Sequence, residues 1–199
     1  TASTKGHMKD LGIFLNVGYK INENQIFSIY GRSDDHNTTG TNESYKLNYT
    51  HTLDKLKFSG TYATGLRNPS LYELYGSDNY GIGGNINLKP EKSKTNELYI
   101  EYNFSKKFKI TSSAYRAKIF DRIESNYSAG EHQNFQTDLN QEGIESELFF
   151  KRKNENMSLF ANFSKSRKVN GQAQARRPDL SFGANYTKKF TSSSYGKFN

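Results

Sequence analysis

The residues best equipped for chemistry are Asp34, Asp35 and His36, three consecutive titratable side chains just ahead of Asn37-Thr38-Thr39-Gly40. Paired carboxylates beside a histidine can run general acid–base catalysis if they reach one common proton. Neighbours in a single loop, read here as 33–42, point their side chains apart, and no matching acid–histidine pair occurs at another strand top. An enzyme is therefore not expected. The plainer reading is a turn-forming Asp pair, or at most a Ca²⁺ ligand set of carboxylates and loop carbonyls. His7, His36, His51 and His132 show no ligand spacing, and with no cysteine in the chain neither zinc nor a cofactor is expected. The cluster Gly81–Gly84 lacks the strand–loop–helix setting of a dinucleotide fingerprint.

A second set of residues is suited to gripping a large polar ligand. Tyr72, Tyr75 and Tyr80 offer broad rings at low entropic cost, and Arg176 offers a rigid fork of donors. All four fall in segments read as long loops. The competing reading, in which they only pack loops or sit in an interfacial belt, stays open on sequence alone.

What must position these side chains is a set of strands. Apolar residues alternate with polar ones along Leu11–Ile21, Tyr45–His51, Leu56–Tyr62, Leu98–Phe104, Ile144–Phe150, Met157–Phe163 and Leu180–Tyr186. This period of two is the strand signal, and with weaker segments at 26–32 and 108–119 it predicts about nine strands, a tenth beginning at Tyr195. Short links at 22–24, 53–55, 105–107 and 151–156 alternate with longer ones at 33–42, 66–93, 121–134 and 167–177. Strict alternation puts all short links on one rim and all long links on the other, the plan of a transmembrane barrel. One short helix is expected at 70–75, where Pro69 precedes it. The stretch Gly76–Gly84 reads as a flexible excursion.

Composition points the same way. The chain has 199 residues, only 33% of them hydrophobic, yet 14 Tyr and 14 Phe, and a mean hydropathy of -0.89. A soluble domain needs about 45–50% apolar residues for its core, and a disordered chain has no use for so many aromatics. A barrel wall is apolar on one face only and girdled by aromatic rings. The formal charge of +8 could serve an anionic partner. The lysines are scattered in ones and twos, as at Lys106-Lys107 and Lys188-Lys189, so they read as solvated side chains. A nucleic-acid partner is not expected, since no groove of interleaved aromatic and basic residues appears.

The segment Thr64-Gly65-Leu66-Arg67-Asn68-Pro69-Ser70-Leu71-Tyr72-Glu73-Leu74, followed by Gly84-Asn85-Ile86-Asn87-Leu88-Lys89-Pro90-Glu91, resembles the barrel signature of TonB-dependent outer-membrane receptors. Similar likenesses recur at Tyr30–Asp35, Phe120–Ile123, Asn140–Glu145 and Arg176-Arg177-Pro178, so the resemblance runs from Asp10 to Phe190. It implies an all-β, antiparallel transmembrane β-barrel section in the bacterial outer membrane, spanning 1–199, without the family's plug domain and C-terminal strands. Family barrels have about 22 strands, and half that number cannot close at such a radius. It further implies active uptake of a scarce nutrient such as cobalamin or an iron–siderophore chelate. Partners would be outer-membrane lipid and lipopolysaccharide, the nutrient, and TonB acting through the missing plug. Arg176 gains weight here, because it matches an arginine that lies at the ligand-facing rim of cobalamin-type receptors. The alternative is a self-contained ten-stranded surface barrel acting as protease or adhesin. If the wall reading holds, Leu98, Ile100, Tyr102 and Phe104 face lipid while Glu97, Tyr99 and Glu101 face the lumen.

Overall fold

The structure is a computed structural model in which residues 7–78, 81–168 and 178–190 are described, with 195–198 as backbone. Its elements in chain order are β1 (Asp10–Asn22), β2 (Gln25–His36), β3 (Gly40–Leu53), β4 (Leu56–Arg67), α1 (Leu71–Tyr75), β5 (Glu91–Asn103), β6 (Phe108–Phe120), β7 (Arg122–Asn126), β8 (Glu131–Phe135), β9 (Leu139–Arg152), β10 (Glu155–Lys168), β11 (Leu180–Lys189) and β12 (Tyr195–Phe198). One antiparallel sheet takes ten of the strands in the order β1-β2-β3-β4-β5-β6-β9-β10-β11-β12, and β7 and β8 form a separate hairpin. The wall is open: no pairing joins β1 to β12 among the described residues.

The register explains why the sequence alternates. Partners directly across the ladder run Tyr19, Phe27, Tyr49, Gly60, Leu98, Ala114, Ile144, Phe163 and Leu180, a row without one polar side chain except the phenols. Leu98 is 66% exposed and Phe182, on the same face, 79%. Side chains this apolar and this bare have lipid as their solvent, so the face is the outside of a barrel. Aromatic rings gather towards the short-link rim, with Tyr102–Phe104 centroids 4.9 Å and Phe108–Phe150 4.7 Å apart, and Tyr45–Tyr62 marks the other border at 5.9 Å.

The opposite face is polar and knitted together. Along β5 every second residue is the less exposed one, and those residues bond sideways. Ser113 donates to Glu97 at 2.7 Å, Tyr99 to Glu101 at 3.0 Å and Lys109 to Glu101 at 3.4 Å, while Asn48 donates to Thr61 at 2.9 Å. Glu97, Tyr99 and Glu101 thus lie together away from lipid, as expected, because carboxylates on the lipid side would have no partner.

Two expectations about links need correction. The segment 33–42 is no long loop: β2 and β3 stay paired as far as His36↔Gly40, leaving only 37–39 as the turn, with Gly40 at φ 71. The segment 121–134 is not a loop either but the hairpin β7–β8, entered through Asp121 at φ 52. That left-handed residue turns the chain out of the wall, and β6 then pairs directly with β9, starting at Ile119↔Leu139.

Candidate functional site: the rim cap

The segments between β4 and β5 and between β6 and β9 fold onto one another at the long-link rim and form an ordered cap. Its helix begins at Ser70, which accepts from the Glu73 amide at 3.2 Å while the Glu73 carboxylate accepts from the Ser70 amide at 2.8 Å. This reciprocal capping lets a helix of one turn exist. The start is therefore Ser70, and Pro69 lies one residue earlier, buried. Leu74, 1% exposed, packs with Leu88 and Ile123, and Tyr75 leans half-buried on that cluster. Among the described residues this is the only cluster of buried hydrophobic residues in the molecule.

Arg67 fixes the cap to the wall. Its guanidinium meets Glu73 at 3.0 Å and 3.1 Å and Glu91 at 2.8 Å twice. Glu91 also accepts the Ile123 amide at 2.8 Å, so one arginine holds β4, α1, β5 and β7 together. Burial alone would raise the Glu73 carboxyl, but hydrogen bonds from Arg67 and Ser70 overcome it and hold the pKa below its ordinary value. The charged residues of the signature segment are thus an internal clamp, not a ligand-binding array.

Asparagines and tight backbone contacts complete the cap. Asn134 donates to the carbonyls of Lys89 at 2.8 Å and Asp121 at 2.7 Å, and its own oxygen accepts the Lys89 amide at 2.7 Å. Asn85 donates to the His132 carbonyl at 3.0 Å, and the Gly83 amide to the Gly130 carbonyl at 2.7 Å. Gly84 lies so close to the helix that a Cβ would stand 2.5 Å from the Leu74 backbone. The stretch expected to be a flexible excursion is, where described, a packed element, because glycine lets its backbone sit directly on α1.

The residues expected to grip a ligand divide three ways. Tyr72 is 40% exposed at the rim, its ring set edge-on to His132 at 5.6 Å. Burial first, and then Asp78, push its hydroxyl pKa up, so it stays a neutral donor. Tyr75 serves the cap core. Tyr80 and Arg176 lie outside the described residues. The ring of Tyr127 stands 79% bare at the hairpin end, and nothing in its sequence spacing marks it.

The Asp34-Asp35-His36 trio is a strand end, not a loop, and its alternation separates the groups. Asp34 lies inward against Arg32, with Nε–carboxylate contacts of 2.8 Å and 2.7 Å. Asp35 lies on the other face, accepting from Thr41 at 3.3 Å. His36, 1% exposed, spends Nδ1 on the amides of Thr38 and Thr39 at 3.2 Å and 3.3 Å. Carboxylates on opposite faces cannot share a proton or an ion, and no group of acidic or histidine side chains among the described residues could hold a metal.

A family model described as "TonB dependent receptor-like, beta-barrel" matches residues 1–199. Two relatives named Vitamin B12 transporter BtuB are similar to part of the chain. The one from Photobacterium profundum is 36% identical over 87 residues, 43% of this chain and 14% of the relative. The one from Vibrio vulnificus is 34% identical over 94 residues, 47% of this chain and 14% of the relative. Solved structures share the fold: the siderophore receptor PirA from Acinetobacter baumannii superposes with a TM-score of 0.76 at 17% identity, covering 94% of this chain and 33% of that one. A variant of the ferric enterobactin receptor PfeA from Pseudomonas aeruginosa does so with 0.78 at 20%, covering 93% and 31%. The chain spans about one seventh of the curated relatives' length and about one third of those structures. With an open, lipid-facing wall, a capped long-link rim and a family match along its whole length, this chain belongs to the TonB-dependent receptor β-barrel family of the outer membrane.

Proposed function

We propose that this chain supplies a section of the wall and part of the extracellular cap of a receptor that takes up a large, scarce nutrient, cobalamin in first place. The observation that carries the reading is the clamped cap, which holds the half-exposed ring of Tyr72 at the long-link rim on a rigid support. A rigid aromatic platform binds a bulky ligand at low entropic cost. The similarity of two Vitamin B12 transporters to part of this chain favours cobalamin. A ferric siderophore is the second reading, favoured by the receptors of that kind whose fold the wall shares. In either case Tyr72, Tyr80 and Arg176 are the ligand contacts, Tyr75 packs on the cap core, and TonB acts through a plug housed in the lumen. No surface protease or adhesin function is proposed: the sheet is open and the acid–histidine trio is dispersed.

The test is equilibrium binding to the full-length receptor carrying this segment. Cobalamin should bind, and Tyr72→Ala and Arg176→Ala should each weaken it by about 1–3 kcal/mol as a contact or hydrogen bond is lost. Binding of a ferric siderophore with none of cobalamin would transfer the site to the second reading. Unchanged affinity in both variants, at normal surface expression, would remove these residues from the site.

A further inference from the structure

Towards the long-link rim the wall splits between β3 and β4. β2 stays on β3 as far as His36↔Gly40 and β4 stays on β5 as far as Arg67↔Glu91, yet β3 and β4 part above Lys46↔Ala63. At the fork a side chain stands in for the ladder: the Thr64 hydroxyl accepts the Tyr45 amide at 2.9 Å and donates to the Tyr45 carbonyl at 3.4 Å. Beyond it two strand edges face each other across a groove of about 730 Å³. The split opens at the Tyr45–Tyr62 aromatic border, above the lipid tails. Backbone without a ladder partner survives there because water reaches it.

Which backbone groups line the split follows from the antiparallel ladder, where the amide and carbonyl of successive residues point to opposite neighbours. Tyr45 points at β4, since Thr64 takes its amide. Thr52 points at β2, donating to the Asn24 carbonyl at 2.8 Å. Odd-numbered residues of β3 therefore serve β4, and above the fork Thr41 and Glu43, both exposed, find no strand there. Lys55, just ahead of β4, points at β5, its carbonyl accepting from Asn103 at 2.8 Å. By the same alternation Leu66 points into the split. The ladder thus leaves the amides and carbonyls of Thr41, Glu43 and Leu66 without a partner. The side chains keep the two-sided pattern of the wall, with Tyr45, Leu66 and Phe120 outward and Asn42 and Ser93 inward. Charges oppose one another, Glu43 and Asp121 against Lys92 and Lys94, so the lining favours a neutral occupant over a polyanion.

We propose that the split is a docking site for an extended peptide segment of a partner protein, which adds a short strand between the tops of β3 and β4. Strand addition draws its affinity from main-chain hydrogen bonds and its specificity from alternate side chains. Here the bonds go to Thr41 and Glu43 on one bank and Leu66 on the other. The peptide that fits is neutral, apolar on its outward face against Tyr45 and Leu66, and small and polar on its inward face. The site rests on the pairing of the wall and not on which nutrient is carried.

The test uses the full-length receptor in detergent micelles, a synthetic hexapeptide of alternating valine and threonine, and the same peptide N-methylated so that it cannot donate. The wild type should bind the first peptide and hold the methylated one about tenfold more weakly or worse. In the free receptor the amides of Thr41, Glu43 and Leu66 should exchange with solvent quickly while those of Asn42 and Ser44, turned to β2, exchange slowly. The peptide should slow the first three. Glu43→Pro removes a donor facing the split and spares the β2–β3 ladder, so it should weaken peptide binding about tenfold, whereas Glu43→Gln keeps the donor and should match the wild type. If the proline variant fails to fold, the methylated peptide still decides. No binding at millimolar peptide, equal binding of the two peptides, or full binding by Glu43→Pro would each overturn the site. So would exchange at the three amides that the peptide leaves unchanged, or that is already slow without it because a second copy or a neighbouring strand fills the split.

Discussion

The wall and the cap solve the problem of staying folded in opposite ways. The wall has no dry interior: one face is bare for lipid and the other is a polar mesh, so its order comes from ladder bonds that only a bilayer makes compulsory. The cap, a few dozen residues at the rim, owns the buried cluster of Leu74, Leu88 and Ile123, a one-turn helix and an arginine clamp. It is in effect a miniature soluble domain whose floor is made of strand tops. A membrane protein can thus carry water-type folding at the rim where its wall ends.

The comparison breaks most readily at Leu74. Leu74→Ala should cost the cap about 2–5 kcal/mol, as for other fully buried leucines, and protease should then cut between 71 and 90. The barrel of the full-length receptor should keep its heat-modifiable gel shift; loss of that shift as well would mean that cap and wall are one cooperative unit. The converse lesion is Leu98→Arg, in the middle of the lipid face, expected to cost about 2–4 kcal/mol of barrel stability. Urea titration in lipid vesicles measures it, and a cost near zero would place Leu98 away from lipid.

Smaller effects sharpen the boundary between the two. Arg67→Ala strands Glu73 and Glu91 without their cation, and a penalty of about 1–3 kcal/mol confined to the cap is expected, lessened by the partial exposure of the pair. Hydrogen exchange in 71–90 and 122–135 reads it, and protection unchanged from the wild type would retire the clamp. The mildest is pH. Glu73 has a lowered pKa in the folded cap, so its contribution is present above the ordinary carboxylate value and disappears as acid titrates it through the lower folded value. Cap protection should therefore fall on acidification below the ordinary carboxylate range, and Glu73→Gln should flatten that dependence; an identical acid profile in both proteins would argue against this residue.

The same contrast explains what can be read from the sequence. Each wall strand writes its own signal, since lipid demands an apolar residue at every second position, and Leu98, Ile100 and Tyr102 announce their side without help from any neighbour. The cap writes none beyond its short helix after Pro69. Leu74, Leu88 and Ile123 come from three separate segments and obey no period, and β7 and β8 are each too short to establish one. Arg67, Glu73 and Glu91 resemble a family signature, but only their meeting in space reveals a clamp. Cross-strand neighbours are hidden for a geometric reason: residues adjacent across a sheet are separated in sequence by the length of each hairpin, so Lys94 and Lys118, partners across β5 and β6, look unrelated in one dimension. The Asp34-Asp35-His36 trio misleads in the other direction, since sequence neighbours on a strand are spatial opposites.

The direct pairing of β6 with β9 has a consequence for how such receptors diversify. The hairpin β7–β8 leaves after Phe120 and returns at Leu139, opposite the residue just before its departure, so it occupies no position around the wall. Insertions, deletions or a wholesale exchange of that hairpin leave circumference, tilt and strand pairing untouched. Variation can accumulate there as interchangeable trim on an unchanged hull.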